Sequence, residues 1–450
     1  MRGARGIGRG IGRENERGTG RGIGREIRAE RAARIAFGAA ALAAALAAAL
    51  ELAAAPNAQA ASLFSTRGLG ETLSDATGRG RALGGVSAPL ADSIRVSLDN
   101  PALLGRIRLV SASAAYVVER RTAENDDASE TFTDGTLPFL SAAVPFRRFV
   151  FGFGLLREQN LFVNPLVRAR SETPSPYTLR FSRNGDLFRV PAALAVRIAP
   201  QLSLGASADF WFGSIDETRT VDFDSPDFRD TNDRTSDEFD GVGGSVGLSW
   251  APNRRVALGA RYRGRGSMTG DRTTTTEDGI NATRPVAHTM PASISAGATV
   301  EPRAGARAVL EVRRDQWEGE EADAPAGARF VDATRIGAGV ELDRGGANAS
   351  FLRRRPWRLG FHRADWHFEE PAGKPITEWI VTAGTSAALG GGRAAVLDLF
   401  AEYGRRGSRE ENGFEEKIFR FGLGFAGGEP WRKPERRGRR GNVTLPPDRF

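Results

Sequence analysis

The chain has no cysteine in 450 residues, and only 3 histidines, 3 methionines and 4 tyrosines. Without a thiol there is no disulfide, no thiolate metal site and no lipidated N-terminal cysteine, and the absence is compatible with an oxidising compartment. Beyond residue 60 there is no apolar run of the ~20 residues that a membrane-spanning helix needs. A one-sign binding face is missing too. The isoelectric point is about 10.5, but residues 1–60 carry 10 Arg against 5 Glu, and the tail from Glu429 carries 7 basic against 3 acidic residues. The body between them is close to neutral, so the basicity sits at the ends and argues against nucleic acid as a partner.

Residues 1–34 are low in complexity and rich in arginine, with echoes of "RGIGR". An uncharged Ala/Leu run from Ile35 to Leu50 follows, and then the small-x-small site Ala58-Gln59-Ala60. A basic flank, a short apolar stretch and A-x-A together predict a secretory signal peptide over 1–60, cleaved after Ala60. Its long basic flank is consistent with an over-extended gene start. The tail over 427–450 has the composition of a disordered segment.

What recurs in between is alternation with period 2, the pattern of a strand with two unlike faces. In "LSLGASADFWF", Leu202, Leu204, Ala206, Ala208, Phe210 and Phe212 share one face, and Ser203, Gly205, Ser207 and Asp209 share the other. "RVALGARYRGR", "AVLDLFAEY" and "IFRFGLGF" repeat the pattern. Strands are expected near 107–120, 134–145, 148–158, 186–198, 202–221, 236–250, 254–267, 287–300, 304–317, 328–342, 349–368, 376–389, 393–404 and 414–426. Tight turns such as "APNRR" and "EPRAG" alternate with longer polar connections, 121–134, 159–185, 222–236 and 268–286 among them.

An even number of strands, about 14, with short turns at one rim and long loops at the other predicts an all-β transmembrane barrel in the outer membrane of a Gram-negative-type bacterium. Closure follows because an open sheet edge in hydrocarbon would leave its N–H and C=O groups unpaired. Trp211, Trp250, Trp317, Trp366 and Trp379 lie near segment ends, where an interfacial aromatic girdle is expected. A soluble sandwich or solenoid fits less well, since its strands average about 5–6 residues.

Ahead of the first strand stands "SLDNPALLG". Its Asn-Pro is turn chemistry, because proline pushes the preceding residue out of the helical region. With "GLGETLSDATGRGRALGGVSAPLADSIRVSLDNPALL" at the start, "VPFRRFVFGFGLL", "GVGGSVGLSWAPNRRVALGARYRGR", "MPASISAGATVEPRAGARAVLEVRRDQW" and the closing "EKIFRFGLGF", the chain resembles the FadL/TodX family of outer-membrane transporters from about Gly68 to Phe425. It is similar to a divergent member.

That resemblance implies a barrel over 106–426 whose lumen holds an N-terminal plug, or hatch, over 61–105. It implies passive uptake of hydrophobic small molecules such as long-chain fatty acids or hydrocarbons, by ligand binding, plug displacement and sideways exit at a kinked third strand. Asn100, Pro101 and Ala102 match the family's Asn-Pro-Ala motif, and Gly152 and Gly154 in the third strand are the candidate kink. No cofactor is implied. The implied partners are the ligand, outer-membrane lipid and lipopolysaccharide, and the chain would act as a monomer. A scaffold or shuttle subunit of a secretion system is the alternative that the same resemblance allows. A basic tail after the closing strand and short loops depart from the family pattern, and the loops weaken the case for an outer capture site.

Asp209, Arg261, Glu311, Arg313, Asp398, Glu402 and Arg420 fall on the polar face and are expected to line the lumen, either along a permeation path or as ion pairs holding the barrel's shape. "HRADWH" offers His362, Asp365 and His367, but strand parity sets His362 opposite both of the others, which argues against a metal site. "GRGRALGG" over 78–85 lacks the strand–helix context of a phosphate loop. No Ser/His/Asp set has supporting context either, so no enzymatic activity is expected.

Overall fold

Alternation along each segment dictates the architecture. The computed structural model describes residues 62–66, 69–74, 76–163, 166–169, 176–279, 281–319, 329–343, 355–369, 374–389 and 395–430. The expected signal peptide, its cleavage site, the first six residues of the strand expected over 349–368 and the tail past Pro430 lie outside them. No helix among the described residues is long and apolar enough to cross a membrane.

The wall is a closed antiparallel barrel of 14 strands. They are β1 (Val110–Glu124), β2 (Ser129–Phe146), β3 (Phe149–Asn160), β4 (Tyr177–Ala199), β5 (Leu202–Phe223), β6 (Thr231–Trp250) and β7, which runs in two pieces (Val256–Arg263 and Gly266–Thr275). Then follow β8, also in two pieces (Asn281–Met290 and Ala292–Arg303), β9 (Ala306–Gln316), β10 (Ala333–Leu342), β11 (Trp357–Glu369), β12 (Pro375–Leu389), β13 (Ala395–Ser408) and β14 (Phe414–Glu429). Each strand pairs with its neighbours in sequence. The ladder from Val110↔Glu429 to Glu124↔Glu415 joins β1 to β14, so the sheet closes on itself.

The two faces of this sheet differ as the pattern requires. Phe151, Phe153, Phe210, Phe212, Val242, Val246, Leu359 and Phe421 stand exposed on the outside. An apolar surface of this kind suits lipid rather than water. Ser203, Asp209, Arg261, Asp398 and Glu402 are buried on the inside.

Three expectations are corrected. The polar connections over 121–134, 159–185, 222–236 and 268–286 are in large part strand: β1 and β2 run on to a turn at 125–128, and β7 and β8 to one near 276–280. In "TGDRTTTTEDGINATRPVAH" both faces are polar, so no hydrophobic alternation betrays the ladder. Of the tryptophans, Trp211, Trp317 and Trp366 point inward and are buried, while Trp250 and Trp379 are exposed. Trp211 has the parity of Ser203 and Asp209, which already places it on the polar face. Third, His362 and His367 are both buried, because a register shift between Asp365 and Glu369 in the β11–β12 ladder breaks the parity count.

The N-terminal segment, from Ser62 to the start of β1, packs against the inner face of the wall. It carries one helical turn, Gly78–Arg81, capped by Thr77, and a 3-10 helix, Pro101–Arg106, capped by Asn100. Wall glycines admit it. A Cβ on Gly247 would lie 2.0 Å from Asn100 Oδ1, and one on Gly259 would lie 1.9 Å from the Ala88 carbonyl oxygen. The closing strand reaches Glu429, so 427–429, expected in the tail, belong to the wall.

Candidate functional site: the barrel interior

Three layers fill the interior. Nearest the turns, the N-terminal segment is tied to the wall by buried ion pairs. Arg261 donates to Asp99, which also accepts from the Ser87 hydroxyl. Arg95 pairs with Asp398 at 2.8 Å, Arg79 with Glu341 at 2.8 Å and Arg81 with Glu402 at 2.9 Å. The Glu311 carboxylate accepts from the backbone N–H groups of Ser87 (2.7 Å) and Ala88 (2.8 Å). "GRGRALGG" therefore supplies arginines to carboxylates of the wall.

Asn100 is fully buried and its amide is spent on three backbone partners. Its Oδ1 accepts from Ala102 N–H (3.1 Å), and its Nδ2 donates to Ala88 (3.0 Å) and Leu248 (3.1 Å) carbonyl oxygens. Pro101 opens the 3-10 helix at the position where a missing N–H costs nothing. Ala102 packs at the same contact with the wall glycine Gly205.

The middle layer is a charged ring around a cavity of about 130 Å³. Glu71 accepts from Arg406 (2.6 Å), Arg121 (2.6 Å) and Arg420 (2.9 Å). Arg406 also donates to Glu378 and Glu416, and Glu416 in turn accepts from the hydroxyl of Ser62 and the N–H of Leu63. His362 hydrogen-bonds Glu378 at 3.2 Å. Among the described residues no group of three or more His, Cys, Asp or Glu could hold a metal ion.

Toward the loops lies an apolar layer. Phe64 stacks on Phe414 with ring centroids 4.3 Å apart, Trp317 stacks on His367 at 4.5 Å, and Trp211, Phe239, Met268 and Met290 join the same cluster.

Among the described residues the wall parts between β2 and β3. The β2–β3 ladder runs from Phe146↔Phe149 only to Phe139↔Leu156. Past Leu156, β3 turns from β2 and pairs with the N-terminal segment, Glu71↔Asn160 and Thr72↔Gln159, while its register against β4 shifts between Arg157 and Gln159. Glu158, at the shift, is held by Arg189 (2.7 Å), Trp211 (3.2 Å) and Arg263. Asp134, Thr136 and Pro138 of β2 line the cavity beside the parting. Pro138 has no N–H to offer the ladder, and this was the sequence signal for the parting that strand periodicity missed.

The proposed kink residues lie lower, within continuous pairing: Gly152 opposite Ala143 and Gly154 opposite Ser141. Each makes room for the N-terminal segment, since a Cβ there would meet Leu104 or Leu98 within 2.7 Å. Of the residues expected in the lumen, Asp209, Arg261, Glu311, Arg313, Asp398, Glu402 and Arg420 all turn inward. Most of them bind the N-terminal segment or its ring. Arg313 pairs with Asp315 (3.0 Å), and Asp209 lies near Arg189.

A protein-family model described as BamG matches residues 40–436. No curated protein sequence matches the chain. Among solved structures, the toluene transporter TbuX of Ralstonia pickettii shares 18% identity over 79% of this chain and 99% of its own, with a TM-score of 0.58. The toluene transporter TodX of Pseudomonas putida shares 16% over 79% and 98%, with a TM-score of 0.56. A Pseudomonas aeruginosa FadL homologue shares 12% over 80% and 99%, with a TM-score of 0.60. At these identities the likeness is one of fold.

Proposed function

Since the chain belongs to the BamG family and has the barrel fold of FadL/TodX-type transporters, we propose that it is an outer-membrane channel for passive uptake of hydrophobic small molecules. The observation that carries this reading is the parting of β2 from β3 beside the interior cavity. The N-terminal segment acts as a plug across the straight path toward the turn rim. A molecule arriving from the loop side meets the aromatic layer first, where apolar burial favours it. It then leaves sideways where β3 has abandoned β2, past Glu71 and Thr72, which pair with β3 there, and enters lipid. Such a route needs no cofactor and no energy source, only binding and displacement.

The test is flux of toluene into liposomes that contain the purified full-length chain. Faster entry than into empty liposomes is expected, and equal entry would sink the proposal.

A second reading, a scaffold or shuttle subunit of a secretion system, has its own observation. Strands β4, β5 and β6 run to 23, 22 and 20 residues, whereas about 9–11 cross a membrane. Roughly half of each therefore stands beyond the lipid as a polar sheet able to hold a protein partner. A stoichiometric partner recovered after cross-linking in intact cells, with uptake unchanged on deletion, would favour it.

A further inference from the structure

Arg313 on β9 and Arg335 on β10 are directly paired across the ladder and both line the interior cavity. Like charges in that position repel each other. Arg313 has a partner, Asp315 at 3.0 Å. Among the described residues, Arg335 has no carboxylate within ion-pair reach; its contacts are the Gly84 carbonyl oxygen at 3.5 Å and His362 Nδ1 at 3.4 Å.

One step toward the loops, the wall is made of small side chains. Ala333 faces Asp315 in the β9–β10 ladder, and Ala364 faces Arg335 in the β10–β11 ladder. Beyond them stand the stacked rings of Trp317 and His367, and Nε2 of the buried His367 has no hydrogen-bond partner. The space thus runs from a guanidinium without an ion-pair partner among the described residues, past two alanines, to an aromatic wall with a spare polar nitrogen.

We propose that this space is a binding site for a small aromatic carboxylate, its ring against Trp317 and His367 and its carboxylate on Arg335. The inference deepens the uptake reading by naming a substrate class. A planar guanidinium matches a carboxylate with two parallel hydrogen bonds, and an anion beside Arg335 relieves its repulsion with Arg313. Size selects the body of the ligand. The cavity is about 130 Å³, close to the roughly 150 Å³ of a cavity that holds benzene, which sets one ring as the upper limit and leaves no room for a long alkyl chain. Asp315 sits on the Arg313 side and turns the carboxylate toward Arg335.

The experiment titrates sodium benzoate into the full-length chain folded in detergent, read by calorimetry and by tryptophan fluorescence. Saturable binding is expected, at least tenfold weaker in Arg335→Gln and unchanged in Arg363→Gln, whose side chain is 63% exposed. Ala364→Leu, which fills the space without removing a charge, should abolish binding even if Arg335→Gln does not fold. No saturable binding, undiminished binding in Ala364→Leu or in folded Arg335→Gln, or equal competition by inorganic phosphate would each overturn the proposal. Toluene flux is measured on the same preparations. Benzoate bound without toluene flux overturns the uptake reading and leaves this site standing; toluene flux without benzoate binding does the reverse.

Discussion

Arg406 on β13 and Glu71 on the N-terminal segment meet at 2.6 Å with side chains only 2% and 5% exposed. One guanidinium thereby ties the segment to Glu378 and Glu416 of the wall as well, and its face lies over Trp366 at 4.5 Å.

Replacing Arg406 with methionine keeps most of the volume and takes one cation from three buried carboxylates, of which Glu71 keeps Arg121 and Arg420. Breaking one side of a buried ion-pair network costs about 3–5 kcal/mol. The barrel should still form, shown by a heat-modifiable shift on gels, while protease cleaves the N-terminal segment much faster. Unchanged protection would show that Arg406 is not the tie.

Gly259→Ala tests how tightly the segment seats. Its Cβ would stand 1.9 Å from a backbone oxygen of Ala88, a clash that no side-chain rotation relieves. Overpacking of this kind costs about 1–3 kcal/mol. Raised single-channel conductance in planar bilayers is expected, with the barrel intact. Wild-type conductance would mean the segment shifts freely.

Asn100→Ala leaves two carbonyl oxygens and one N–H without their side-chain partner, at about 1–3 kcal/mol for each buried polar group left unpaired. Passage of toluene should change more than the yield of folded barrel. Normal flux in both Asn100→Ala and Pro101→Ala would reduce the motif to a turn.

Acid should loosen the Asp92 tie only at the extreme. Burial pushes the Asp92 carboxyl up, but Arg95 and Arg79 outweigh it and hold the group at about 2, against about 4 for a free aspartate. A lowered folded value means its contribution is complete above pH 4 and fades as pH falls toward 2. Protease protection should be flat from pH 5 to 8. Loss near pH 6 would point to another group.

Legibility followed the hydrophobic pattern. "IFRFGLGF" announces β14 because one face meets lipid, whereas "TGDRTTTT" hides the second half of β7 because both of its faces are polar. The inward charges could be read from parity, but their partners could not: Arg261 and Asp99 are 162 residues apart. His367 misled because a single bulge reverses every parity after it. The β2–β3 parting left one faint mark, Pro138.

By itself the sequence determined the wall, since alternation with period 2 and tight turns on one side leave few other ways to bury backbone polar groups in lipid. Only the tertiary structure decided what the interior does. Closing the sheet brings distant arginines and carboxylates within 3 Å of each other, and which of them is left without a partner depends on where the N-terminal segment comes to rest.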